Sequence, residues 1–173
     1  MFRHTIETKN DFVLSLFRLI FRKGIHIVKP EISKLIKQEL EPHQDIDLAI
    51  LFGSSALGKT TPMSDCDIAV HLNKDWELTE HGYVIAMLEK RIKKKVDLVI
   101  LNDLPQKKPE LAYNVISKGI LIFCRHHDLY TELKTKTFLN YLDTAPLREM
   151  VRNNFATRIR AGRFGDRNYV EST

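Results

Sequence analysis

The chain holds only two cysteines, one tryptophan, seven glycines and six prolines among 173 residues. So few cysteines exclude a disulfide-stapled secreted scaffold, and Cys66 and Cys124 lack the spacing of a zinc site. Both fall inside apolar, strand-like runs, where a reduced and buried thiol is the ordinary outcome. The low glycine and proline content excludes collagen-like and low-complexity chains. No apolar run reaches bilayer-spanning length. The nearest, FVLSLFRLIFRKGIHIV over residues 12–28, is broken by Arg18, preceded by Asp11 and followed by no small-residue cleavage site. We therefore expect no export, no membrane association and a cytoplasmic location. Walker A and G-x-S-x-G patterns are both absent, which removes two common routes to phosphate binding and acyl transfer. With no internal repeat and no Gly/Ser linker, one α/β domain is the economical expectation.

What is present begins with an ordinary balance: 43% hydrophobic, 28% charged and a net charge of +5. That charge suits an anionic substrate or acidic partner and is too small to establish nucleic-acid binding. The expected order is a basic amphipathic helix over 11–23, a helix from Pro30 ending before Pro42, then an alternating series. In that series 47–52, 66–72, 96–101 and 120–124 read as strands, and 76–93 and 109–119 as helices. Residues 127–142 and 146–160 read as helices, and the tail from 162 as frayed. This divides the chain into an N-terminal helical extension (1–44), a core (45–125) and a C-terminal helical segment (126–173).

One constellation carries chemistry. Gly53-Ser54 ends the first strand, ten residues intervene, and Asp65-Cys66-Asp67 opens the second. Alternation along a strand places Asp65 and Asp67 on one face and turns Cys66 to the other. Two carboxylates on one face repel, and a cation between them relieves the repulsion. Mg2+ fits, because it takes one or two carboxylates and completes its shell with water and substrate phosphates. Gly53 allows a sharp turn and close approach of a phosphate to the backbone, and Ser54 offers a hydroxyl and an N–H. Asp97 opens the third strand much as Asp67 opens the second. If those strands are neighbours in register, three carboxylates converge, as two-metal phosphoryl chemistry requires, and Asp97 can take a proton from an acceptor hydroxyl.

Gly53-Ser54, the spacer, Asp65-Cys66-Asp67 and Asp97 together resemble the nucleotidyltransferase superfamily of the DNA polymerase β type. The phrase LFGSSALGKTTPMSDCDIAV is most similar to the minimal nucleotidyltransferase antitoxins, partners of HEPN toxins, over roughly residues 45–125. The resemblance implies a small mixed β-sheet core flanked by helices, with helical extensions at both ends. It implies Asp65, Asp67 and Asp97 as catalytic and metal-binding residues for two Mg2+ ions, and Gly53, Ser54 and Lys59 as the nucleotide-binding set. It further implies AMP transfer from ATP to a hydroxyl, a tyrosine of a separate HEPN toxin, with release of pyrophosphate. Where family members often carry loop arginines this chain has Ser55 and Leu57, with Lys59 the only cation between Ser54 and Asp65. An aminoglycoside-type adenylyltransferase is an alternative, although only residues 126–173 remain for its antibiotic-binding domain. An antitoxin that neutralises its partner by contact alone is another.

Other residues read more plainly. His71 stands roughly 13 Å along the strand from Asp67, too far to share a metal, and is expected to be an ordinary strand-end histidine. Trp76 is expected to pack, and His126-His127 to lie in a loop. The arginines at 148, 152, 158, 160 and 163 suggest a solvated face, with nucleic acid or an acidic partner as weaker alternatives.

Overall fold

The computed structural model describes residues 30–56 and 64–162. The expected helix over 11–23, Lys59 and Arg163 lie outside them. Strand β1 (Ile46–Phe52) is buried along its whole length, as the unbroken run IDLAILF requires of a strand covered on both faces. Strands β2 (Cys66–Leu72), β3 (Val96–Ile100) and β4 (Ile120–Cys124) complete a sheet of order β3-β2-β1-β4. The sheet is mixed: β1 runs antiparallel to β2 and β4, whereas β2 and β3 are parallel.

Alternation along the strands makes two cores. Ala49, Leu51, Cys66, Ile68, Val70 and Leu98 face helices α1 (Pro30–Leu40) and α3 (Leu78–Ile92), which contribute Ile36, Leu40, Val84 and Leu88; Trp76 packs against this core. Leu48, Ile50, Phe52 and Ala69 face the opposite way, onto α5 (Pro109–Lys118) and α6 (His127–Asp143) through Ala112, Val115, Ile116 and Leu133. Two four-residue helices were not read as separate elements: α2 (Gly53–Ala56) and α4 (Leu104–Lys107), the latter burying Leu104 and Pro105. His127 opens α6 rather than lying in a loop. A last helix, α7 (Ala145–Arg160), follows α6 after Thr144.

Sequence signals account for the boundaries. Glu77 and Glu80 form a reciprocal capping box at the start of α3, and Lys93 ends that helix at φ 59°, in the left-handed region. Pro109 opens α5, where its missing N–H costs nothing. Gly119 follows because a Cβ there would lie 2.3 Å from the Val115 carbonyl oxygen and 2.5 Å from Ile50 Cγ2. The connection between β2 and β3 runs through α3, as a parallel pair demands. It returns the chain so that β2 and β3 both begin at the same end of the sheet.

Candidate active site

That shared end holds the acids. The parallel register pairs Asp67 with Asp97 directly, and the antiparallel register sets Asp67 opposite Phe52, next to Gly53. Asp67 shares parity with Ala69, and Asp97 with Val99 and Leu101, so both carboxylates project at the rim of the α5–α6 core. Asp65, two residues before Asp67, has the same parity. Asp65 and Asp97 are exposed and Asp67 is half-buried.

Gly53 is built against this cluster. Its φ is +67°, and a Cβ placed on it would stand 2.0 Å from Asp67 Oδ2. The Asp67 carboxylate thus occupies the space that a side chain at position 53 would need. The phosphate-approach end and the acid end of the motif, far apart in sequence, are one place in the fold. Ser54 follows within α2, half-buried at the edge of the same site. Lys59 lies outside the described residues.

Electrostatics follow from the geometry. Burial pushes the Asp67 carboxyl above the ordinary carboxylate range, and the charges of Asp97 and Asp65 push it further the same way. Like charges opposite one another on neighbouring strands destabilise a sheet, so the fold carries a repulsion that a cation would turn into attraction. Among the described residues no three His, Cys, Asp or Glu side chains are drawn into a ready-made metal cage. The three carboxylates stand at one end of the sheet without forming one. Their hard oxygens, with the Asp67 carboxylate seated against Gly53, fit Mg2+. Cys66 takes no part: it faces the other core, and its thiol is pushed up to about 11, by burial first and by Asp67 second. It is an inert packing thiol.

Two features were not legible in the motif. Ser55, which stands where family members often carry an arginine, is buried and donates its hydroxyl to the Asp65 carbonyl at 3.2 Å. That bond clips together the two ends of the ten-residue loop and so positions Asp65. Lys95 stands two residues before Asp97, as Asp65 does before Asp67, and its carbonyl accepts the Cys66 N–H at 2.8 Å. Alternation puts Lys95 on the acid face, beside Asp65; only the strand register reveals it. His71, at the other end of β2, pairs with Asp47 across 3.7 Å and is remote from the acids.

Comparison with known proteins agrees with this geometry. The chain resembles one from a toxin–antitoxin crystal structure with AMP-PNP, at 22% identity and TM-score 0.63, covering 72% of this chain and 98% of that one. It resembles one from the toxin–antitoxin MntA–HepT, at 20% identity and TM-score 0.59, covering 73% and 98%. The same figures hold for a structure of a tri-AMPylated Shewanella oneidensis HEPN toxin in complex with its MNT antitoxin. At these identities the likeness establishes the fold. Comparison with curated proteins gives no match. The model of the polymerase β nucleotidyltransferase family matches residues 34–128, more than half of the chain and all three acids. The chain belongs to the polymerase β nucleotidyltransferase family.

Proposed function

We propose that this protein is the antitoxin of a toxin–antitoxin pair and transfers AMP from ATP to a hydroxyl, that of a tyrosine on a HEPN-type toxin. The observation that carries the reading is the contact between Gly53 and Asp67 together with the Asp67–Asp97 register pair. A solved neighbour supports a toxin as the acceptor, since it holds a HEPN toxin that is itself AMPylated. The core of 45–125 carries the chemistry, and 126–173 is left to engage the partner. Among the described residues no helix is long and apolar enough to cross a membrane; the cytoplasm, where ATP and the toxin meet, is the proposed location.

Asp65, Asp67 and Asp97 would hold two Mg2+ ions. When bound, the metal supplies charge neutralisation for the triphosphate and a lower pKa for the attacking hydroxyl. The chain's own residues do the rest. Gly53 lets the phosphate chain lie against the backbone, Ser54 donates to a phosphate oxygen, and Lys59 with Lys95 provides the cations that loop arginines supply elsewhere. Asp97 accepts the hydroxyl proton as the acceptor oxygen attacks the α-phosphorus. The bond from the α-phosphorus to the bridging oxygen breaks, and pyrophosphate leaves with that electron pair. Ser55 holds Asp65 in place throughout.

Incubation with α-labelled ATP, Mg2+ and a HEPN-type toxin tests this. Label is expected on a toxin tyrosine, and none with γ-labelled ATP. Transfer that survives Asp65→Asn with Asp67→Asn would overturn the reading. Toxin inhibition unaffected by omission of ATP would replace it with neutralisation by contact.

A further inference from the structure

The end of the sheet remote from the acids carries a second concave site. Strand β1 starts there and β2 ends there, about 20 Å from the acids, the six-residue rise from Phe52 back to Ile46. A cleft of about 370 Å3 is lined by His43 and Asp45, from the turn before β1, and by Trp76, Glu80, Tyr83 and Val84. Main-chain groups tie its walls together. Asn73 donates its N–H to the Asp45 carbonyl at 3.0 Å and its side-chain amide to the Gln44 carbonyl at 2.8 Å. Arg125 donates to the His43 carbonyl at 3.2 Å and to the Ile46 carbonyl at 2.8 Å. The reciprocal caps of Glu77 and Glu80 fix the first turn of α3.

The lining has a consistent chemistry. Trp76 is half-buried against the sheet core, Tyr83 is 66% exposed, and Val84 is buried. Among the described residues the Asp45 carboxylate has no hydrogen-bond or ion-pair partner. Glu80 accepts the Glu77 N–H at 2.9 Å through one oxygen. Its other oxygen stands 3.9 Å from Lys74, an exposed pair of little strength. No lysine or arginine lines the cleft, in a chain whose net charge is +5. Two aromatic rings beside two carboxylates attract an organic cation.

The same lining narrows the occupant. Among the described residues no three acid, cysteine or histidine side chains form a metal cage. The two carboxylates repel phosphate, which turns away nucleic acid and an anionic membrane alike. A guanidinium fits better than an ammonium, because its plane stacks on an aromatic face while its fork meets a carboxylate. Its aliphatic stem would cover Tyr83 and Val84. We infer that this cleft receives an arginine side chain of a partner protein, with the guanidinium at Trp76 and Asp45. The inference does not depend on AMP transfer, which uses the other end of the sheet.

Trp76 is the only tryptophan, so its fluorescence reads the cleft in the full chain. A terminally blocked Gly-Arg-Gly peptide should shift that fluorescence saturably. It should bind at least tenfold tighter than the uncharged citrulline peptide and threefold tighter than Gly-Lys-Gly. Asp45→Asn should weaken binding fivefold or more, and Tyr83→Ala threefold or more. Leu78→Ala, at a leucine 86% exposed on the same helix, and Asp67→Asn, at the other end of the sheet, should leave it unchanged. Absence of a saturable shift, equal affinity for the citrulline peptide, or insensitivity to both Asp45→Asn and Tyr83→Ala overturns the inference. Loss of binding in Asp67→Asn also overturns it, by assigning the cation to the acid site. Ethylguanidinium binding as tightly as the arginine peptide overturns the protein partner, because the stem would then contribute nothing.

Discussion

Strand β2 presents an ionisable side chain at each end of the same face, and the two ends are managed in opposite ways. At one end Asp67 faces Asp97 and Asp65, like charge against like, and its carboxyl is pushed upward by burial and by both neighbours. At the other, His71 faces the buried Asp47 across 3.7 Å, and Asp47 accepts from Asn73 Nδ2 at 3.1 Å. Burial lowers the His71 pKa, and Asp47 draws it back up. The second arrangement sets an acid beside a base within the chain itself. The first does not: like charges crowd Asp67, and a bound cation would relieve the repulsion. A complementary pair is structural; an uncompensated cluster beside an open glycine belongs to a ligand.

The largest test of that contrast is loss of function at the acid end. Asp67→Asn should lower the rate of AMP transfer roughly a thousandfold, the several kcal/mol that metal-borne charge stabilisation supplies. Without Mg2+ its melting temperature should equal or exceed that of the native chain, because a repulsion has gone. Asp47→Ala should do the reverse. It removes one of the two acceptors of the Asn73 amide, which keeps the Gln44 carbonyl, and the partner of His71, costing about 1 kcal/mol in denaturant unfolding, while the transfer rate per folded molecule is unchanged.

Gly53→Ala couples fold and site. A left-handed φ costs an L-residue about 1–2 kcal/mol, and the new methyl collides with Asp67. Combining it with Asp67→Ala should recover part of the lost stability and none of the activity, as thermal melting and the labelling assay would show.

The smallest effects are in pH, and their signs oppose. Asp67 binds a proton more tightly folded than unfolded, so metal-free stability falls as pH rises from the ordinary carboxylate range through its raised pKa. Saturating Mg2+ should flatten that slope. His71 binds a proton less tightly folded than unfolded. Its contribution is present above about 6.5 and is lost as pH falls through its lowered pKa. Asp67→Asn should remove the first slope and His71→Gln the second, each in urea titrations across pH.

These differences also mark what the sequence could disclose. The strands, the long helices and the convergence of Asp97 on Asp67 followed from apolar periodicity and spacing, because those patterns record burial directly. What depends on register did not. A bulge between Ile46 and Leu48 shifts the β1–β2 pairing and sets Asp47 beside His71 and Asn73, a contact between residues that nothing in the chain order links. Ser55 read as a missing arginine because its bond is to a backbone carbonyl, which has no sequence signature. Lys95, one of three consecutive lysines, carries no signal of its own, since only the neighbouring strand shows which face it shares. In α7 the arginines were legible, but the exposure of the apolar residues between them was not, because the same spacing describes a helix packed on a core.

The central claim is that the Gly53–Ser54 turn and the three acids form one metal–nucleotide site. Electron paramagnetic resonance of Mn2+, a stand-in for Mg2+, tests it without any acceptor. With a non-hydrolysable ATP analogue, the native chain should immobilise Mn2+, and Asp67→Asn should weaken that binding at least a hundredfold while His71→Gln leaves it unchanged. Equal Mn2+ binding by the native chain and Asp67→Asn would contradict the account.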